Sequence, residues 1–142
     1  MIFSKSCEMY LKDKSCPSLQ ESEALKFINE SFPISTSNID WSITSNIIDM
    51  GVTYSNDLKG NINNLVQRLK KNNNDSFYII NLNSAFPSLI SNISDWLIYI
   101  SELDFPDTLF ISTSFDAVIH WDFYKNLYGK GFYFSNEDNK QN

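Results

Sequence analysis

The chain has 142 residues, of which 42% are hydrophobic and 15% aromatic, with a formal net charge of −6 and Arg68 as its only arginine. A chain of this length buries roughly two thirds of its unfolded surface, so it can fold without a metal or disulfide staple, and its apolar content excludes a disordered class. Its longest apolar runs, such as Trp96-Leu97-Ile98-Tyr99-Ile100, fall far short of the ~20 residues that cross a bilayer, and a negative chain with one arginine is poorly equipped to grip a phosphate backbone.

In chain order, Ser18-Leu19-Gln20-Glu21 has the form of a capping box. Leu25, Ile28 and Phe32 follow at helical spacing before Pro33, which predicts a helix over 18–31. Ile39, Trp41 and Ile43 alternate with polar residues; a strand is expected there, or a short helix capped by Ser37. Ile48, Met50, Val52 and Tyr54 alternate more clearly and predict a strand over 47–54. Leu58, Ile62, Leu65, Val66 and Leu69 trace one helical face, with Asp57 near its start and Arg68, Lys70 and Lys71 at its end, where they suit the helix dipole. Asn72-Asn73-Asn74-Asp75 reads as a turn, and Phe77-Tyr78-Ile79-Ile80 as a strand buried on both faces. Leu89, Ile93, Trp96, Leu97, Ile100 and Leu103 form a stripe that predicts a helix over 87–103, stopped by Asp104-Phe105-Pro106. Strands are expected over 108–113 and from Ala117 to Phe123, and Gly129-Lys130-Gly131 allows a turn into a last strand, Phe132-Tyr133-Phe134. Residues 135–142 read as a frayed polar tail.

These elements predict one domain over 1–142 of mixed α/β (α+β) class, with a single mixed β-sheet of about five strands packed with three helices. The strand–helix–strand units in the middle favour partly parallel pairing, and the last strands favour antiparallel pairing.

The charge is unevenly distributed. Residues 1–71 carry eight acids and eight bases. From Asn72 to Tyr124 there are seven acids, Asp75, Asp95, Glu102, Asp104, Asp107, Asp116 and Asp122, and no lysine or arginine. Either this is an ordinary solvated surface, or it is a negative face that attracts a positive partner.

Two sets of residues are candidates for chemistry. If 116–123 is extended, Asp116, Val118, His120 and Asp122 line one face, opposite Ile119, Trp121 and Phe123. A histidine between carboxylates is a pattern used for general base catalysis, but no nucleophile, cleft or oxyanion site is signalled around it. A solvated sheet face or a partner contact is the simpler reading. On the helix expected over 87–103, Asn92, Asp95, Tyr99 and Glu102 share the outer face. Acids beside an aromatic ring suit a lysine or arginine of a partner, through charge-assisted hydrogen bonds and cation–π contact. The plainer alternative is a polar helix face with a tyrosine leaning on the core.

The sequence holds no Gly-rich phosphate loop, no G-x-S-x-G, no H-E-x-x-H and no C-x-x-C, so no cofactor or metal is expected. Cys7 and Cys16 are expected as free thiols of a cytoplasmic chain, because the N-terminus has no apolar region of the secretory kind. The matches to glycosylation sequons are then coincidental.

In overall character, a small chain with an acidic, aromatic-laced second half and no catalytic motif resembles bacterial immunity proteins, which guard a cell against secreted or contact-delivered toxins. The resemblance implies stoichiometric inhibition of a cognate basic protein toxin, expected to be a nuclease, with no nucleic acid or membrane bound by this chain itself. Asp95, Glu102, Asp104, Asp107, Asp116 and Asp122 would then block or mimic the toxin's phosphate site, with Tyr99, Trp121 and Tyr124 as anchors and His120 beside them. Two other readings compete: a generic acidic binding module or mimic of DNA charge, and a small enzyme using His120 with Asp116 or Asp122.

Overall fold

A computed structural model describes residues 3–36, 38–83 and 86–132. Its centre is a six-stranded sheet in the order β3-β8-β7-β6-β4-β5. The strands are β3 (Ile48–Val52), β4 (Ser76–Asn81), β5 (Leu89–Asn92), β6 (Thr108–Ser112), β7 (Ala117–Trp121) and β8 (Asn126–Gly131). A separate two-stranded ribbon pairs β1 (Ile34–Ser35) with β2 (Asn38–Ile39). The helices are α1 (Lys5–Asp13), α2 (Ser18–Ser31), α3 (Ser55–Arg68), α4 (Ile93–Ile98) and α5 (Ile100–Leu103). The mixed α+β class is as expected.

Every pairing in the large sheet is antiparallel, which corrects the expectation of partly parallel pairing. The strand–helix–strand units do join strands of like direction. Strands β3 and β4 point the same way across α3, but β8, β7 and β6 lie between them. Strands β5 and β6 point the same way across α4 and α5, with β4 between them. Local patterning reveals the crossover; it does not reveal which distant strand fills the gap.

Side-chain alternation sends the strands' residues into two cores. Phe77, Ile79, Phe110, Ile119, Trp121 and Leu127 pack under α1, α3, α4 and α5, where Leu58, Ile62, Leu65 and Val66 of α3 form the buried stripe the sequence predicts. Tyr78, Ile80, Leu109, Ile111 and Val118 pack on the other face against Ala24, Ile28 and Phe32 of α2 and against Ile39 and Trp41. Cys7 belongs to the first core and Cys16 borders the second; both are free. Burial raises both thiols' pKa, with Glu102 and Glu8 adding for Cys7 and Glu21 for Cys16, which keeps them in the unreactive protonated form.

Several local expectations change. Helix α1 was not foreseen, because it buries only Cys7, Tyr10 and Leu11 and has a short stripe. The 18–31 helix is present, but Ser18 lies inside it after Pro17 with no side-chain cap, and Glu21 accepts a hydrogen bond from Ser88 instead of closing a capping box. Residues Trp41–Ile43 form a 3-10 turn capped by Asp40, whose carboxylate accepts from the Ser42 N–H; the alternative cap, Ser37, lies outside the described residues. The helix expected over 87–103 begins only at Ile93. Asn92 caps it by accepting from the Asp95 N–H, and Leu89 is in β5, opposite Ile79. Leu89 keeps its place in the core stripe although the backbone there is a strand, because both geometries point it inward. The glycines at 129 and 131 lie in β8 rather than in a turn. A Cβ on Gly129 would fall 2.6 Å from Leu65 Cδ1, so α3 is seated directly on a bare strand. The expected last strand falls partly, and the frayed tail wholly, outside the described residues.

Edge strand β5 is covered by the link between α1 and α2: the Cys16 N–H donates to Ser88 O and the Ile90 N–H to Lys14 O, both at 2.8 Å. An unpaired edge is a template for aggregation, and this link removes one.

Candidate protein interface

The acid–histidine–acid row expected on one strand face is taken apart by the fold. Strand β7 spans only Ala117–Trp121, and its two faces are both core. Val118 and His120 point towards α2, and Ile119 and Trp121 towards α3. His120 is 1% exposed and Asp107 7% exposed. Trp41 Nε1 donates to His120 Nδ1 at 2.7 Å, and His120 Nε2 lies 2.7 Å from Asp107 Oδ1. An indole N–H can only donate, so Nδ1 must accept and Nε2 carries the hydrogen given to Asp107. Asn38 Nδ2 completes the network on Asp107 at 3.1 Å and 3.3 Å. Burial pushes the Asp107 pKa up, but the hydrogen bonds from His120 and Asn38 outweigh it, and the net shift is downward. Asp107 also sits at φ 76°, a left-handed conformation that aspartate tolerates better than most residues. With both ring nitrogens bound and the ring enclosed, His120 presents no lone pair to a substrate. His120, Asp107 and Trp121 are therefore corrected from surface contacts to interior residues. Trp121 is fully buried, with its Nε1 donating to Thr53 O at 2.8 Å.

The run of acids between residues 72 and 124 does not form one unbalanced face. The two lysines that flank it fold back onto it. Lys71 Nζ lies 3.1 Å from Asp116 Oδ1 and 3.9 Å from Asp75, and Lys125 bonds Asp104, which also accepts from Ser55 Oγ. Asp116 further accepts from the hydroxyls of Ser112 and Ser114, and although burial raises its pKa, these bonds and Lys71 lower it overall. Glu102 accepts from the N–H and hydroxyl of Ser4 at 2.6 and 2.8 Å, which ties the start of α1 to α5. Asp122 closes the β7–β8 turn by accepting from the Tyr124 and Asn126 N–H groups, both at 2.9 Å. Asp95 and Tyr99 line a groove beside α1.

What the fold does bring together is one end of the sheet. Asp104, Asp122 and Tyr124, anticipated as contact residues, meet there with Val52, Tyr54 and Phe123, which were not. The Thr53 N–H donates to Lys125 O at 2.8 Å, joining the β3–α3 link to the β7–β8 turn, and the Lys125–Asp104–Ser55 bonds join both to the α5–β6 link. Val52 is 56% exposed, Tyr54 61%, Phe123 53% and Tyr124 74%. The cause of the exposure at Val52 is local. Gly51 has φ 75° and the β3–β8 register shifts between Asp49 and Val52, a bulge that breaks the alternation. Thr53 then turns inward, and Val52 and Tyr54 turn out. The signal was in the sequence: a glycine inside an alternating run marks a bulge. The rim rests on a firm base, with Lys125 Nζ lying 4.1 Å from the centre of the Trp121 ring.

Among the described residues, no group of three or more histidine, cysteine, aspartate or glutamate side chains is placed to hold a metal ion, and no helix is long and apolar enough to cross a membrane. No protein-family model matches the chain, and no curated protein matches its sequence.

Proposed function

We propose that this chain is a cytoplasmic binding protein that neutralises a basic protein, in the manner of a bacterial immunity protein, by occupying the surface with which that protein, a nuclease toxin, meets nucleic acid. The observation that carries this reading is the exposed rim of Val52, Tyr54, Phe123 and Tyr124 bordered by Asp104 and Asp122. Aromatic side chains provide large rigid contact area and dominate interface energetics, and the Asp122 carboxylate beside them together with the chain's net charge of −6 favours a cationic partner. A pure mimic of DNA charge fits less well, because Asp75, Asp104 and Asp116 each already face a lysine. A His120-based enzyme fits less well because the ring is enclosed.

The test is affinity capture from the native cell's lysate with the wild-type chain and with a Phe123→Ala/Tyr124→Ala variant in parallel, eluted by rising salt. The expected result is one basic protein, held in near-equal amount through moderate salt by the wild type and lost by the variant. Many basic proteins shed together at low salt, equally from both chains, would reduce the reading to a generic acidic surface.

A further inference from the structure

A second surface feature lies away from the rim. A groove of about 470 Å³ is lined by Ser6, Met9, Tyr10 and Asp13 from α1, Asp95 and Ile98 from α4 and Tyr99 at the C-terminal cap of α4. The spacing explains the lining, since positions 6, 9, 10 and 13 share one helical face, as do 95, 98 and 99. Tyr10 and Tyr99 stack at 4.9 Å, and the Tyr10 hydroxyl is held by Ser91 Oγ at 2.7 Å, which makes the pair a fixed aromatic floor. Met9 and Ile98 stand above it, both largely exposed. The two charged groups lining the groove are carboxylates, and the Lys14 ammonium that pairs with Asp13 at 3.8 Å does so at a solvent-exposed position, where an ion pair is weak.

We infer that this groove takes an arginine side chain from a partner protein. A planar guanidinium stacks on an aromatic face, lays its methylenes along Met9 and Ile98, and offers donors to carboxylates on both walls at once.

This inference deepens the proposed function, since a basic partner rests on that reading, but its test needs no partner. The full chain is titrated by NMR with a capped Gly-Arg-Gly peptide and with the same peptide carrying neutral citrulline. The expected result is saturable shifts at Ser6, Met9, Asp13, Asp95, Ile98 and Tyr99 with arginine only, weakened about tenfold by Asp13→Asn/Asp95→Asn in a chain whose remaining spectrum is unchanged. Equal shifts with citrulline, shifts centred elsewhere, or none up to the solubility limit would overturn it. A failed lysate capture with a positive titration would sink the toxin reading and leave the groove; the converse would leave the rim as the whole interface.

Discussion

The two faces of the sheet are closed by different means. The face under α1, α3, α4 and α5 is mainly apolar, and the Trp121 indole N–H buried there is met by a backbone carbonyl. The face under α2 is covered by one helix and by the 38–43 segment, and it contains a buried chain of polar groups, Trp41 to His120 to Asp107 to Asn38. Burial of apolar area is non-directional, so the first face stabilises the fold without choosing among similar packings. The second face ties three distant segments, the β2 ribbon, the α5–β6 link and strand β7, by bonds that form in one arrangement only. The α5–β6 link also carries Asp104, so the buried network holds one border of the rim.

The largest effect should come from the apolar face. Phe110→Ala removes a fully buried ring that meets Trp96 edge-on at 5.1 Å, and a loss of about 3–5 kcal/mol by denaturant titration is expected. A loss near 1 kcal/mol would mean that the site collapses and that the faces differ less than their composition suggests.

The polar face should respond less in size and differently in kind. His120→Leu keeps the volume but leaves the Trp41 N–H and one side of Asp107 without a partner, for about 3 kcal/mol. Its distinguishing sign is pH dependence. Asp107 has a folded-state pKa below its ordinary value, with burial opposing and hydrogen bonds prevailing. Between the two values the folded state binds fewer protons than the unfolded state. Its stabilisation is therefore present above the ordinary carboxylate range, near 4, and is lost as pH falls through the depressed value. Asp116 adds the same sign from the β6–β7 turn. Stability measured from pH 7 down to 2 should fall more steeply in the wild type than in an Asp107→Asn variant, and equal slopes would show that the network is not what titrates.

Gly129→Ala probes where the first face meets the sheet. The added methyl would need Leu65 to move, so a loss of about 1–3 kcal/mol is expected by thermal or denaturant unfolding. A neutral result would show α3 free to ride outward.

Both faces were legible where burial repeats with an element's own period. The α3 stripe and the doubly buried Phe77–Ile80 run follow from periodicity alone, because burial repeats with the element's own period. The 39–43 segment defeats that reasoning. Ile39 and Trp41 are buried at alternate positions, as in a strand, yet Trp41 sits in a 3-10 turn. Its indole is positioned by His120, 79 residues away, and no local pattern encodes such a partner. The same holds for the acids. Lys71 and Lys125 lie just outside the acidic run in sequence and fold onto it in space, so a charge count by segment overstated the imbalance. Asp104, Asp122 and Tyr124 were identifiable as candidate contact residues by composition, but Val52 and Tyr54 reach the rim only through the bulge at Gly51.

The smallest expected stability effect belongs to the rim, and there the smallness is informative. Trp121 and Tyr124 are three residues apart, one fully buried and the other mostly in solvent. Trp121→Ala should cost about as much as Phe110→Ala, whereas Tyr124→Ala and Phe123→Ala should each change stability by no more than about 0.5 kcal/mol. Leaving three aromatic rings and a valine in water gains nothing for folding and risks association. If unfolding of the Phe123→Ala/Tyr124→Ala chain matches the wild type while capture of the basic partner fails, the rim is reserved for binding. If the double variant loses more than 1 kcal/mol, the rings hold the β7–β8 turn to β3, and the interface must be sought at the groove between α1 and α4.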